Sequence, residues 1–131
     1  MAAVLDAQAL IAFVTGEPSG AAVRKILRTR ECATSAVNLA EVVQKLLREG
    51  AEEPRVREVL EPLGLQIVPV DAGLAWRAAG LRVRHYRRRR SEVSLADCCL
   101  VAAASAGDTV VSRDRGVTAM ARAEGLKVVE L

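Results

Sequence analysis

Apolar residues along the chain follow two patterns: short unbroken runs, and longer stretches in which they recur every three or four positions. The run at residues 2–5 is typical of a buried strand, and we expect further strands at residues 31–35, 66–70, 109–112 and 127–131. The periodic stretches predict helices at residues 7–14, 20–30, 36–49, 52–60, 72–88, 95–106 and 117–123. Because strands and helices alternate, we expect an α/β fold in which helices flank a central parallel sheet.

Polar residues mark where several of these helices begin. Ser19, Ser35, Asp71 and Ser94 each stand directly before a periodic stretch, where a short oxygen-bearing side chain can cap the first backbone N–H groups. Gly50 is placed to end the third helix. No repeat or linker interrupts the pattern, so we expect one domain over residues 1–131.

The amino-acid composition limits the classes of molecule that we expect the protein to bind. Hydrophobic residues make up 51% of the chain but aromatic residues only 2%, so the core must be built from aliphatic side chains. We expect Trp76 and Tyr86 to pack against the protein rather than to stack on nucleic-acid bases. The formal net charge of +3 fits a polyanionic partner. No apolar run approaches the roughly 18 residues of a membrane span, and we expect a cytoplasmic protein that does not bind membranes.

Cysteine and histidine do not suggest a site of their own. Cys32, Cys98 and Cys99 are odd in number and form no CxxC pair, which argues against a disulfide framework and against a zinc site. His85 is the only histidine and lies in a basic stretch. These features argue against a histidine-based catalytic triad and against a histidine-rich metal site.

Four carboxylates are predicted at one edge of the sheet. Asp6 follows the first strand, and Asp114 follows the strand at residues 109–112. Glu41 lies in the second turn of one helix and Asp97 in the first turn of another. A helix that connects two parallel strands begins near the end of the sheet where the strands finish. We therefore expect all four side chains at the carboxyl edge, where ligands of open α/β sheets bind.

Two polar residues accompany these acids. Asn38 lies three residues before Glu41 on the same helix face, and Ser112 lies two residues before Asp114. Converging carboxylates repel one another, which raises at least one pKa, and a divalent cation offsets the repulsion. Oxygen ligands without histidine or cysteine favour Mg²⁺ or Mn²⁺ over zinc. Such an ion can activate water for displacement at phosphorus.

Most of the acids also have a simpler structural interpretation. The spacing Ser94-x-x-Asp97 is that of a capping box. Taken alone, Glu41 is a solvated helix residue and Asp114 is a turn residue. Asp6 is different, because nothing in its local sequence requires it. The four acids would lack a shared role only if each of them were explained separately by its local structure.

Five segments of the chain stand out together by their order and spacing. They are Val4-Leu5-Asp6-Ala7, Gly16-Glu17-Pro18, Ser35-Ala36-Val37-Asn38-Leu39-Ala40-Glu41-Val42, Val93-Ser94-Leu95-Ala96-Asp97 and Val110-Val111-Ser112-Arg113-Asp114. In these segments the chain resembles the PIN-domain family, specifically the toxin ribonucleases of VapBC toxin–antitoxin modules. The resemblance covers essentially the whole chain and implies a PIN-like three-layer fold. It also implies that Asp6, Glu41, Asp97 and Asp114 are the metal ligands.

The resemblance implies an activity and partners as well. It implies an endoribonuclease that depends on Mg²⁺ or Mn²⁺ and cleaves RNA with a metal-activated water, leaving a 5′-phosphate. Asn38 and Ser112 would orient the ligands or the attacking water, and the family often has Thr at the position of Ser112. A homodimer and a cognate VapB antitoxin are implied too. The first two helices, with the break at residues 16–20, are the candidate antitoxin groove.

The basic run Arg87-Arg88-Arg89-Arg90 contains more consecutive arginines than we expect of the family, and it has two interpretations. It is the solvated end of a helix, where cations suit the helix dipole, or it binds RNA phosphates beside the acidic site. Both interpretations stay open on the sequence alone.

Two other classes of function compete with a nuclease. A catalytically idle PIN-like module would bind RNA or a protein partner, but it would have no need of four acids. An aspartyl phosphotransferase would use Asp6 as its nucleophile, but Gln8 stands where its second aspartate belongs. Dinucleotide binding is disfavoured because no GxGxxG segment follows the first strand.

Overall fold

The secondary structure of the chain alternates between strands and helices as the sequence predicts. The structure, a computed structural model, describes residues 1–131. The strands are β1 (Ala3–Leu5), β2 (Cys32–Ser35), β3 (Gln66–Val68), β4 (Thr109–Ser112) and β5 (Lys127–Glu130). The helices are α1 (Ala7–Thr15), α2 (Gly20–Thr29), α3 (Ala36–Arg48), α4 (Glu53–Leu60), α5 (Ala72–His85), α6 (Leu95–Ala103) and α7 (Arg115–Ala123). A short 3-10 helix, Glu61–Leu63, follows α4.

The five strands form one sheet in which every pairing is parallel. The strand order is β3-β2-β1-β4-β5, so the first strand of the chain lies at the centre. Leu5 of β1 is in register with Val111 of β4, and Val4 is in register with Ala33 of β2. Because the strands are parallel, their carboxyl ends share one edge, as predicted.

The sheet separates two apolar layers. Ala3 and Leu5 face the layer built on α1, α2, α3 and α4, whereas Val4 faces the layer of α5, α6 and α7. Side chains of successive strand residues point to opposite faces, so a strand covered on both faces must be apolar at every position. This explains the unbroken apolar runs and confirms the predicted three-layer α/β fold.

Three of the four predicted helix caps are present. Ser35 Oγ accepts a hydrogen bond from the Asn38 N–H at 3.2 Å, and Asp71 Oδ1 accepts one from the Leu74 N–H at 2.8 Å. Ser94 Oγ accepts a hydrogen bond from the Asp97 N–H at 3.0 Å. The capping oxygens therefore begin α3, α5 and α6 where the sequence predicts.

The predicted cap at Ser19 is wrong. Ser19 has helical backbone angles, and its buried hydroxyl oxygen has no hydrogen-bond partner. The joint between α1 and α2 explains this, because Gly20 lies against α1. A Cβ atom on Gly20 would lie 2.5 Å from the carbonyl oxygen of Ala12. The close approach of the two backbones, rather than a capping side chain, sets the start of α2.

The four consecutive arginines lie outside α5, which ends at His85 rather than at residue 88. They form a tight turn that is closed by a bridge between Arg87 and Ser91. Arg82 helps to end the helix, because its Nε donates to the Val93 carbonyl at 3.1 Å and its guanidinium lies 4.5 Å from the centre of the Tyr86 ring. The helix-end interpretation is therefore wrong for the position of Arg87 to Arg90, which are exposed but follow the helix, and it holds for Arg82 and Arg84 in the last turn of α5. We call residues 87–91 the arginine turn.

The expectation that Trp76 packs against the protein is also wrong, since 82% of its surface is exposed. Leu74, Ala78 and Leu81 form the buried side of α5, and Trp76 lies outside that row. Tyr86 is partly exposed beneath the Arg82 guanidinium. None of the helices is both long enough and apolar enough to cross a lipid bilayer.

Candidate functional site

Asp6 lies at the carboxyl end of the central strand and is almost fully buried, with 6% of its surface exposed. One carboxylate oxygen accepts the Ala9 N–H at 2.7 Å and thereby caps α1, so the chain does have a local use for this side chain. Burial raises the pKa of Asp6, and repulsion from Asp97 and Asp114 adds to the rise. Hydrogen bonds from Ser112 and from the Ala9 N–H oppose it.

Ser112 connects the ends of the two central strands. It is the last residue of β4 and is fully buried. Its hydroxyl donates to the second carboxylate oxygen of Asp6, and its oxygen accepts the Asp114 N–H at 3.0 Å. The hydroxyl therefore holds Asp6 and the backbone of Asp114 in a fixed relation.

Asn38 has a corresponding role on α3. The Ser35 hydroxyl donates to its side-chain carbonyl oxygen, while its amide donates to Glu41 Oε1 at 3.3 Å and to the Ala96 carbonyl at 3.4 Å. These bonds connect the start of α3 to the start of α6. Burial raises the pKa of Glu41, and repulsion from Asp97 and Asp6 raises it further.

Asp97 belongs to a complete capping box. Its carboxylate accepts the Ser94 N–H at 2.9 Å while the Ser94 hydroxyl oxygen accepts the Asp97 N–H at 3.0 Å. The interpretation of Asp97 as part of a capping box is therefore confirmed. Burial still raises its pKa, and repulsion from Asp114 contributes. A side chain that only capped a helix would not need three other acids nearby.

Asp114 begins α7. One of its carboxylate oxygens accepts the Gly116 N–H at 2.8 Å and the Val117 N–H at 3.2 Å. It is therefore a helix cap and not only a turn residue. The capping also points the carboxylate toward the positive end of a helix dipole, which offsets part of the local negative charge.

The four acids have no cationic partner in the protein, because none of the eight ion pairs of the chain includes them. Glu41, Asp97 and Asp114 each keep one carboxylate oxygen free of protein hydrogen bonds. No three acidic, histidine or cysteine side chains converge closely enough to share an ion in this arrangement. The donor set consists of carboxylate oxygens alone, which fits a hard divalent cation such as Mg²⁺ or Mn²⁺.

A thiol nucleophile does not compete with this site. Cys98 follows Asp97 directly but is fully buried, and burial raises the pKa of its thiol to about 11. The reactive thiolate is therefore scarce at neutral pH.

The arginine turn lies beside one of the acids. A Cβ atom on Gly116 would lie 3.0 Å from Ser91 Oγ and 3.1 Å from Asp114 Oδ1. The end of the arginine turn therefore packs against the start of α7, next to the carboxylate that caps it. None of the four guanidinium groups of the turn forms an ion pair with a carboxylate.

Comparison with protein families gives this arrangement a context. The family model described as the PIN domain matches residues 3–124. The chain belongs to the PIN domain family. No curated protein matches this PIN domain significantly.

Solved structures give the same fold. A toxin–antitoxin complex from Klebsiella pneumoniae contains a chain that is 20% identical to this PIN domain, with 100% of both chains covered and a TM-score of 0.72. FitAcB from Neisseria gonorrhoeae is 23% identical, with 99% and 97% covered and a TM-score of 0.72. VapBC2 from Rickettsia felis, bound to a promoter DNA fragment, is 15% identical, with 100% and 99% covered and a TM-score of 0.66. At these identities the similarity establishes the fold.

A polar groove beside Glu41 escapes prediction from the sequence. Gln44, Lys45 and Arg48 line it together with Arg113. The signal that could have revealed it is the spacing 41, 44, 45 and 48, which places four polar residues on one face of α3.

Proposed function

We propose that this PIN domain is an endoribonuclease that depends on Mg²⁺ or Mn²⁺ and is the toxin of a VapBC-type toxin–antitoxin pair. One observation carries the proposal. Four carboxylates lie at the carboxyl edge of the sheet without a cationic partner, and burial and mutual repulsion raise the pKa of three of them, Asp6, Glu41 and Asp97. A protein that only needed helix caps would gain nothing from placing these charges together.

Asp6, Glu41, Asp97 and Asp114 would hold the cation. When bound, the cation neutralises the carboxylates and activates water toward a phosphodiester. The protein's own hydrogen bonds fix these side chains beforehand, because Ser112 holds Asp6 and the helix caps hold Asp97 and Asp114. The side chains must still draw closer together to share an ion, because no three of them converge closely enough in this arrangement.

The chain offers no nucleophile of its own at this edge. The Ser112 hydroxyl is buried and donates to Asp6. Water is therefore the expected attacking group: its oxygen bonds to phosphorus while the bond to the 3′-oxygen breaks. This leaves a 5′-phosphate and, once the 3′-oxygen takes a proton, a 3′-hydroxyl. A 2′,3′-cyclic phosphate product would contradict this mechanism.

RNA is the proposed substrate because cations flank the acidic edge. The arginine turn lies next to Asp114, and its four guanidinium groups have no carboxylate partner. Free arginines beside an acidic site can bind substrate phosphates and hold the strand in place. We assign Arg87, Arg88, Arg89 and Arg90 this role.

An antitoxin partner is proposed from the structural neighbour from Klebsiella pneumoniae, which is described as a toxin–antitoxin complex and matches this chain along its whole length. The first two helices are the proposed docking surface. Val14, Ile26 and Leu27 are only half-buried there, so an apolar partner helix could cover them.

We also propose that the protein forms a homodimer through the outer face of α5. Trp76 and Val83, which are 82% and 83% exposed, lie about two helical turns apart on that face, and Leu95 at the start of α6 adjoins it. The small residues Ala72, Gly73, Ala75 and Ala79 on the same helix would allow a second helix to approach closely. An exposed apolar patch of this kind is typical of an interaction surface.

The nuclease proposal is tested by incubating the antitoxin-free protein with structured and unstructured RNA in Mg²⁺ or Mn²⁺, and then in excess EDTA. We expect cleavage that requires the metal and that falls by at least about 100-fold in Asp97→Asn. Asn can still accept the Ser94 N–H, so this variant keeps the capping box and should fold. Isothermal calorimetry with Mg²⁺ alone should show weaker binding to the variant.

Asp71→Asn is the matched control. Asp71 also accepts a backbone N–H at the start of a helix, as the residue before α5, but it lies outside the acidic edge, so this change should leave cleavage and Mg²⁺ binding unaltered. Cleavage that survives in EDTA and in Asp97→Asn would refute the proposal. Folded protein that binds Mg²⁺ and RNA but cleaves no RNA would favour a binding module instead.

A further inference from the structure

The residues that line the polar groove beside Glu41 suit the binding of a charged polymer strand. It lies between α1 and α3 and has a volume of about 310 Å³. Only two of its nine lining residues are hydrophobic. An apolar peptide would find little to bury here, whereas a strand that presents charges and hydrogen-bond acceptors would meet matching groups.

The groove begins at the acidic edge. Glu41 is both a member of the acidic cluster and a lining residue of the groove. From there Gln44, Lys45 and Arg48 continue along the same face of α3. At about 1.5 Å of rise per residue, Arg48 lies roughly 10 Å along the helix from Glu41. That length of helix face can accommodate more than one phosphate of an extended strand.

The cations of the groove are available to a ligand. Arg48 forms no ion pair with any carboxylate, and Lys45 has only the surface pair with Glu49, at 3.2 Å. Exposed pairs of this kind contribute little stability, so a phosphate can replace the carboxylate. Arg113 closes the opposite wall, where Gln8 Oε1 accepts from its Nε at 3.0 Å and Glu17 Oε1 lies 3.7 Å from its Nη1. The pair with Glu17 is exposed like that of Lys45, so a phosphate can replace this carboxylate too.

We propose that this groove binds the phosphate backbone of a single RNA strand next to the scissile bond, with Lys45, Arg48 and Arg113 contacting successive phosphates. This inference rests on the proposed nuclease function. No aromatic side chain lines the groove, so the contacts are to the backbone and carry no base sequence. Selection of the RNA target must then come from other surfaces. The arginine turn lies in the opposite helical layer, so the strand would cross the acidic edge between two cationic surfaces.

The test measures RNA binding rather than cleavage. A fluorescein-labelled 12-nucleotide RNA of mixed sequence is titrated with the protein in EDTA, and anisotropy is recorded at several salt concentrations. Each phosphate contact to a single strand contributes about 0.7 to the slope of log K against log salt. The variant Lys45→Gln/Arg48→Gln should therefore lower the slope by about 1.4 and raise the Kd about 25-fold at roughly 0.1 M salt.

Arg24→Gln/Arg28→Gln is the charge-matched control. It removes two exposed cations from α2, outside the groove, and should leave the salt slope unchanged. Thermal unfolding of both variants checks that they fold.

Equal slopes for the groove variant and the control would overturn the inference and would assign the groove to a different partner, such as a peptide segment. Failure of wild-type protein to bind the RNA would overturn it too. Because EDTA prevents metal-dependent cleavage, a failure of the nuclease proposal does not affect this measurement.

Discussion

Removing the hydroxyl of Ser112 is a direct test of how the acidic edge is held. The hydroxyl makes two bonds, since it donates to the Asp6 carboxylate and accepts the Asp114 N–H. In Ser112→Ala the buried carboxylate loses a donor and the N–H loses its acceptor. The pKa of Asp6, which burial already raises, should rise further because a bond that favours the charged form is gone.

The magnitude follows from the two lost bonds. A hydrogen bond to a charged group contributes about 1.5–3 kcal/mol, and an orphaned backbone N–H costs about 1 kcal/mol more. We expect Ser112→Ala to lower the free energy of unfolding by about 3 kcal/mol near neutral pH. For a chain of this length that is a fall in Tm of roughly 10 °C.

The pH dependence distinguishes this explanation from simple loss of packing. A carboxyl group whose pKa is raised by folding destabilises the native state once it ionises, so its favourable contribution exists at low pH and is lost as pH rises through the raised pKa. Because the variant raises the pKa of Asp6 further, its deficit should grow with pH and shrink toward acid. Denaturant unfolding between about pH 4.5 and about pH 8 measures this trend.

Thr34→Val is the matched control for the Ser112 variant. The Thr34 hydroxyl is also fully buried but donates to the neutral carbonyl of Leu5, at 2.7 Å. Its removal should cost about 1 kcal/mol at every pH in this range. If the deficit of Ser112→Ala were as small and as independent of pH as that of Thr34→Val, the proposed role of Ser112 would be wrong.

Two further predictions concern packing and assembly. Gly20→Ala would place a methyl group 2.5 Å from the Ala12 carbonyl oxygen, so α1 and α2 must separate. We expect the free energy of unfolding, measured with denaturant, to fall by about 2–3 kcal/mol. Unchanged stability would contradict the close contact between the two helices. Trp76 is the only tryptophan and is exposed in the single chain, so its fluorescence should shift to the blue as concentration rises if α5 forms the homodimer interface. Trp76→Ser should then behave as a monomer in light scattering, whereas a wild-type monomer at high concentration would rule the interface out.

Much of the fold could be predicted because local and global signals agree. The central strand β1 is apolar at every position, as a strand covered on both faces requires, and Ser35, Asp71 and Ser94 cap the helices that follow them. The carboxyl-edge placement of the acids followed from parallel topology. Their roles as metal ligands remain a prediction.

The errors arose where tertiary contacts override local preference. Arginine is a good helix former, so the sequence alone extends α5 through the arginine turn, but the contacts of Arg82 with Val93 and Tyr86 end the helix earlier. Ser19 has the chemistry of a cap, yet the approach of Gly20 to α1 sets its backbone instead. The exposure of Trp76 was readable from its position outside the buried row of α5. The groove along α3 was not predicted because the spacing of polar residues shows which side chains share a helix face but not whether that face lines a concave surface.

The central position of β1 has a consequence for when the protein can become active. Asp6 and Ser112, which bond directly, are 106 positions apart in the chain, and β1 pairs with β4 along its whole length. During synthesis from the amino terminus, Asp6 and Glu41 emerge long before the strand that completes the sheet beside them. A nascent or prematurely ended chain therefore lacks the assembled edge. For the nuclease that we propose, the order of the strands would delay assembly of the site until β4 has been synthesised.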